Sequence, residues 1–525
     1  MARHLFLDNR YIASLEGPAV RAHEGVKHPD NPLLEREYPW EASRLQIGGQ
    51  SVIYDPARKM FRMYYMGSAG PRWPWIKLNG RDMPGHSTIH SYAESDDGVH
   101  WHRPMISQRS FNDIAETNIF DIFRGQSGER CGVLYDAHEP DPNRRYKMLA
   151  WDQKAQPLPD GEMLNMDGKV IVKDKDGRII AEDTYNTLDN HWGVEYAYSA
   201  DGTHWTRYAD GPVITCYNDT GTSLIYDEHL RRYVAFGRFN GGDTFTATDV
   251  TFANRTGTAF NIGRNVARVE SDDCIHWSEP ELVIPADRDD PQSLQIDAMV
   301  TAMYEGMYVG IMECDRRPYP DSHLPIQIAA SHDGRQWTRV ADRFAFIRIG
   351  EDDAWDCRAV RPGGGPICFG DKVMAYYSGC GHEGGVRGVG LVTWRRDGFV
   401  SIYADAEGGE LLTRPFIPAG PEIHLNIDAS DGEAIVRVCD SQGEPYEGWS
   451  KRYAGLADNT INPQTNVNDR PDDGWNVSRP SQPIRGDHLD TVVQWPDSDM
   501  IHRVGKPISL RVQMRNADLY SFWTE

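Results

Sequence analysis

"SADGTHW", Ser199 to Trp205, decides how this chain is read, because three near copies stand elsewhere in it. "SDDGVHW" runs from Ser95 to Trp101, "SDDCIHW" from Ser271 to Trp277 and "SHDGRQW" from Ser331 to Trp337. Each has the chemistry of a tight turn. Glycine takes the positive φ such a turn needs, and an aspartate side chain bonds the N–H groups that follow it. The tryptophan can pack between sheets. The box therefore reads as a structural mark between outer strands, with Cys274 in place of glycine altering the third copy.

Each box closes a longer unit. Upstream lies an apolar run ending in Tyr-acid: "SVIYD" (51–55), "GVLYD" (132–136), "SLIYD" (223–227) and "TAMYE" (301–305). A fifth, looser copy is "PICFGD" (366–371), and "RDGF" (396–399) holds the place of its box. After each run comes a short turn and a second β-branched, aromatic run with partial period-two alternation. A repeat of several antiparallel strands, five times over, predicts a five-bladed β-propeller over residues 1–403. Alternating strands with Gly and Asn/Asp turns then predict a β-sandwich over 404–525. The expected class is all-β.

Composition bounds the function. A formal charge of −23 repels phosphate backbones and argues against a nucleic-acid partner. No apolar run reaches the ~20 residues of a membrane span. The first residues lack a signal-peptide pattern, so the expectation is a cytoplasmic protein, or a secreted one without its leader. The eight cysteines form no C-x-x-C pair, so a structural zinc site is not expected and buried free thiols are. Fifteen Trp and 24 Tyr suit sugar stacking as well as β-cores.

The ordered motifs resemble the five-bladed propeller glycosidases of glycoside hydrolase families 32, 43, 62, 68 and 130. The layout is most similar to family 32, a propeller followed by a sandwich. The fullest likeness is to a group of bacterial glycosyl hydrolases with "HPDNPLL" (28–34), "PWE" (39–41), "TNIF" (117–120), "NDT" (218–220), "IQIAASHDG" (326–334) and "DGFVSI…EGGELLTRPF" (397–416). It spans nearly the whole chain. The resemblance implies a carbohydrate substrate, no organic cofactor and, at most, an axial calcium. The W-x-N-D-P nucleophile motif of family 32 is absent. "RDDP" (288–291) and "EC" (313–314) stand too close together to serve as its other two motifs, so its substrate class is not inherited.

In a propeller the first strand of each blade lines the axis, and acids just before it can converge. Glycoside hydrolysis needs such a pair, one to protonate the leaving oxygen and one as nucleophile or base. The candidates are Glu41, Glu116, Asp219, Asp297 and Asp356, one per blade, with Glu313 at the end of blade four's second strand. Asp219 and Asp297 each precede their Tyr-acid mark by eight residues, which predicts equal height on neighbouring strands. Candidate sugar-binding residues are Trp40, Trp73, Trp75 and Trp355 as stacking platforms, with Asn118, His191, Trp192, Arg238 and Arg358 for hydroxyls or a carboxylate. Trp73 and Trp75 lie in a blade-one insertion of the kind that walls a binding site. No residue pattern gives a metal site, and the sandwich is the expected surface for any homo-oligomer.

Three readings follow. A glycosidase, on furanosides among other sugars, requires at least two convergent carboxylates. A polysaccharide lyase or sialidase-like enzyme requires a Tyr or His base, or three convergent arginines with a Tyr nucleophile. A non-catalytic sugar-binding propeller predicts inner acids that are all paired with arginine or more than ~10 Å apart.

Overall fold

The structure, a computed structural model, describes residues 3–525 except 71–72, 74, 86, 121–126, 129–130, 154–162, 166–168, 174–178, 185–191, 210–211, 216–217, 219, 240–263, 292–293, 317–323, 383–385, 445–479 and 496–504. Regular structure is β, with a few single 3-10 turns. Five blades form in chain order. Their inner strands are Val52–Asp55, Gly132–Tyr135, Ser223–Asp227, Leu294–Tyr304 and Ala359–Phe369. Each inner strand packs on the next, and the fifth returns to the first through a single parallel bridge, Gly364 to Val52. Outward from each lies an antiparallel meander. The ring is closed by both ends of the propeller. Val26–Lys27 and Leu34–Glu35 pair with Val386–Arg395, supplying the outer edge of blade five.

The boxes do what their composition predicts. Each follows the third strand of its blade. Asp201 Oδ1 accepts the N–H groups of Thr203 and His204 at 2.8 Å, and Ser199 Oγ accepts that of Gly202 at 2.9 Å. The turn also joins blades: Tyr64 Oη donates to Gly202 O at 2.8 Å, and Tyr376 Oη to Gly98 O at 2.8 Å. Cys274 keeps the left-handed conformation, φ 63°, in place of glycine, and its thiol is fully buried.

The Tyr-acid mark has a mechanical reason of its own. The acid ending one inner strand accepts the hydroxyl of the tyrosine opening the next blade's second strand. Tyr146 donates to Asp55 at 2.5 Å, Tyr233 to Asp136 at 2.5 Å, and Tyr308 to Asp227. Hydrogen bonds to a buried charge contribute about 1.5–3 kcal/mol each. At the fifth-to-first junction rings take over, with Phe369 against Phe61 at 4.9 Å and Tyr54 at 5.4 Å.

The axis is closed by backbone. Gly49, at φ 65°, lies so near blade three that an added Cβ would meet Thr222 O at 2.6 Å, and one on Gly221 would meet Gly49 N at 2.1 Å. Gln50 N donates to Thr222 O at 3.2 Å, and Val133 N to Gln50 O at 2.9 Å. Strands of blades one, two and three thus meet there backbone against backbone at Gly49 and Gly221.

The C-terminal β-sandwich is a nine-stranded antiparallel system. Its longest strand, Ile423–Cys439, pairs with Ala517–Thr524 over its first half and Ser509–Arg515 over its second, changing layer across a register break between Ala429 and Ala434. The first residues belong here too. His4–Leu5, Ile12–Glu16 and Ala19–Ala22 pair with Ala517–Thr524, Gly409–Thr413 and Val400–Ala404. The strands His4–Leu5, Ile12–Glu16, Ala19–Ala22 and Val400–Ala404 thus share one sheet system with the C-terminal strands. One continuous core joins the sandwich to blades four and five, with Phe522, Leu425 and Ile402 in the same cluster as Val309, Ile328 and Val360. Among the described residues all seven cysteines are free thiols.

Candidate active site

Inner strands begin, and second strands end, on one face of the ring. On that face blade four carries three buried carboxylates. Asp297, Glu313 and Asp315 are 4%, 1% and 3% exposed, and one oxygen of each lies within 4.8 Å of the others. Strand geometry makes this possible. Glu313 and Asp315 alternate with Cys314, so they share a face of Met307–Arg316. Asp297 is the extra residue where the pairing shifts between Ile296 and Ala298, with Ala298 opposite Glu313. Such a bulge re-aims a side chain that regular pleating would direct elsewhere.

Cations approach from both neighbouring blades. Arg238, 3% exposed, donates from blade three to Asp297 at 3.0 Å, and Arg264 of the same blade bonds the same oxygen. From the inner strand of blade five, Arg361 approaches Glu313 at 3.3 Å. Three guanidiniums thus stand on Asp297 and Glu313. Arg238 is held from behind, its N–H donating to Asn218 Oδ1 at 2.7 Å, and Asn218 is fixed to Thr222 at 2.9 Å. That is a structural task of Asn218. Asp219 itself lies outside the described residues, as does His191, and of Trp192 only the backbone is described, opposite Gln153.

The other proposed residues do not join this group. Glu41 is fully buried and its oxygens serve the local fold: they accept Tyr65 Oη at 2.5 Å, Glu37 N at 2.8 Å and Tyr38 N at 3.2 Å, with Arg103 at 3.2 Å. Trp40, 2% exposed, stacks on Tyr38 at 4.7 Å and donates to Asn118 Oδ1 at 2.9 Å, so it offers no face to a ligand. Asn118 is fully buried and donates to Tyr65 Oη at 2.6 Å. Glu116 is exposed on a loop. Asp356 accepts Lys27 Nζ at 2.6 Å and Tyr377 Oη at 2.9 Å, which ties the closing strand to blade five. Trp355 is partly buried against Tyr377 at 5.6 Å, and Arg358 is exposed, bonded to His382 at 3.0 Å. Trp73 and Trp75 are exposed on blade one.

Asp315, Arg264 and Arg361 are the members that sequence reasoning missed. Asp315 had a signal, since it stands two residues after Glu313 at the end of a predicted strand. The arginines had none, because they come from other blades. Two further acids, Asp152 and Glu195, are each 1% exposed at the corresponding end of blade two.

No protein-family model and no curated protein matches the chain. Solved structures do. A β-1,2-mannobiose phosphorylase from Listeria innocua, solved with β-1,2-mannobiose, is 10% identical over 71% of this chain and 97% of that one, TM-score 0.44. An N-acetylgalactosamine deacetylase from F. plautii, in complex with blood group B trisaccharide, is 15% identical over 72% and 96%, TM-score 0.40. A thermostable family-43 glycoside hydrolase is 12% identical over 69% and 93%, TM-score 0.37. At such identities and scores the assignment is left to the residues themselves.

Proposed function

We propose that this protein is a glycoside hydrolase whose reacting carboxylates are Asp297, Glu313 and Asp315. The observation that carries the reading is their mutual approach within 4.8 Å in a buried setting at a bulge. Like charges at this range repel, and Arg238, Arg264 and Arg361 stand against them. Asp297, under two guanidiniums, is the carboxylate that stays ionised and serves as nucleophile or base. Glu313, on the same strand face as Asp315, is placed to act as the general acid toward the leaving oxygen. Carboxyl groups ~5–5.5 Å apart suit the covalent, retaining route, and those ~6.5–9.5 Å apart suit direct attack by water. The close approach here supports retention.

A second reading is favoured by the pairings. Arginine stands on Asp297 and Glu313, and lysine on Asp356, as expected of a sugar-binding propeller without chemistry. The test is turnover. The full-length protein is incubated with aryl-glycosides and with polysaccharides, each with and without inorganic phosphate, since three guanidiniums would also hold an anionic acceptor in place of water. Asp297→Asn and Glu313→Gln are expected to lower kcat at least 10³-fold with the fold intact, from the loss of nucleophilic or general-acid catalysis. Proton NMR of the first-formed sugar should show retained configuration. Wild-type turnover in both variants, or none in any form of the protein, rejects the reading.

A further inference from the structure

Between the second and third strands of blade one, Met60–Ser68 and Ile89–Ser95, the chain forms an arm. Its hairpin pairs Trp75–Leu78 with Arg81–Pro84. The first of these strands is held on its other side as well. Asn112 N donates to Lys77 O at 2.7 Å, Lys77 N to Asn112 Oδ1 at 2.7 Å, and Leu78 bridges Phe111. Alternation sends Ile76 and Leu78 inward, 2% and 8% exposed, onto Trp40, Phe111 and Ile119. It sends Trp75 outward, and Trp73, just before it, is outward too. They are 54% and 39% exposed, and among the described residues no other tryptophan is exposed.

This is a rigid support for two solvent-facing indoles. Two indoles offer at most about 300–500 Å², well short of the ~800 Å² per partner that a stable protein interface buries. A row of sugar rings needs no more than flat apolar faces and nearby hydrogen bonds. The arm also leaves its blade on the face where second strands end, the face that carries Asp297, Glu313 and Asp315. Blade five separates blade one from blade four in the ring.

We propose that Trp73 and Trp75 form a glycan-holding shelf that grips one part of a polysaccharide chain at blade one while another part lies at blade four. The shelf makes the ligand a polymer. It rests on the reading above only in taking a glycan as the ligand. The test separates binding from cleavage. Full-length protein and its Asp297→Asn variant are run by affinity electrophoresis through gels containing arabinan, xylan, mannan, mixed-linkage β-glucan or rhamnogalacturonan. At least one polymer is expected to retard both proteins. Trp73→Ala and Trp75→Ala should each weaken that association about three- to tenfold, the loss of one ring's stacking. The double variant should lose more, and Trp75→Tyr, which keeps a ring, should retain part. Melting temperatures confirm the fold of each variant. A folded double variant retarded as strongly as the wild type, or a wild type retarded by no polymer, overturns the shelf. Failure of the cleavage reading shows separately, as retention without turnover.

Discussion

Replacing Asp397 with alanine tests how the two halves of the molecule are joined. Asp397 belongs to the degenerate fifth box, and its carboxylate, 1% exposed, has become the hub between blade four and the sandwich. It accepts Tyr304 Oη at 2.6 Å, Arg3 Nη1 at 2.9 Å, Ser521 Oγ at 2.6 Å and Asn426 Nδ2 at 3.2 Å. Removing one partner of a buried ion pair costs about 3–5 kcal/mol, because the other charge stays behind. Arg3 keeps Leu489 O at 3.3 Å and the Trp523 ring at 3.8 Å, which draws the figure toward the low end, about 3 kcal/mol. Unfolding entropy near 2.1 cal/mol/K per residue gives about 1.1 kcal/mol/K for 525 residues unfolding together. One cooperative melt should therefore fall by about 3 °C. If the sandwich instead melts alone, about 150 residues carry the loss and that transition falls by roughly 10 °C. Calorimetry distinguishes the two. Asp397→Asn, which keeps the shape and one acceptor oxygen, should lose less than the alanine variant. A change below about 0.5 kcal/mol for Asp397→Ala, the range of an ordinary surface substitution, refutes the hub.

Other outcomes are expected elsewhere. Tyr233→Phe removes the latch onto Asp136 and should cost about 1.5–3 kcal/mol in urea unfolding, and a neutral result would mean that Lys147, at 3.5 Å from Asp136, suffices alone. The boxes set an acid limit. Burial pushes Asp273 up, but the His276 N–H, the His276 ring and the Ile275 N–H outweigh it and hold the carboxyl at about 2. A depressed carboxylate gives stability that is complete above its ordinary value of 3.8 and is lost as pH falls toward 2. Asp273→Asn should therefore lower the melting temperature at pH 6 and narrow its gap to the wild type near pH 2. His4 acts in another window. Burial, with help from Arg10, holds its ring down to about 4, so stability is complete above its ordinary 6.5 and falls as pH drops from 6.5 to 4. His4→Phe should flatten that part of the pH profile.

The blade count was legible because two local devices recur, the capped turn in blades one to four and the Tyr-acid latch at the three junctions between them. Both work within or between adjacent blades, so their residues recur at regular intervals. The departures are all long-range. His4–Leu5, Ala19–Ala22, Val26–Lys27 and Leu34–Glu35 are two to four residues long, too short to show a period. Their places are set by partners such as Phe522, Tyr403, Val392 and Val389, far along the chain. A local pattern cannot say which sheet edge is vacant. Only closure of the ring and of the sandwich decides it.

The candidate site was half legible for a related reason. Acids ahead of inner strands looked alike in sequence, yet Glu41, Asp297 and Asp356 meet different surroundings. Glu41 finds two backbone donors within its own turn, the Tyr65 hydroxyl on the neighbouring strand and the Arg103 guanidinium. Asp356 finds a lysine and a tyrosine that close the ring. In each of those two a carboxylate answers donors and a cation. Asp297 meets two other buried acids, and it does so because a bulge at its own position turns it toward Glu313 and Asp315. The bulge has no strong sequence signature, since "QIDAMV" reads as an ordinary strand. What sets Asp297 apart from Glu41 and Asp356 is therefore the pair of buried acids it faces. That pair could be foreseen only as far as the register of one strand pair could be counted.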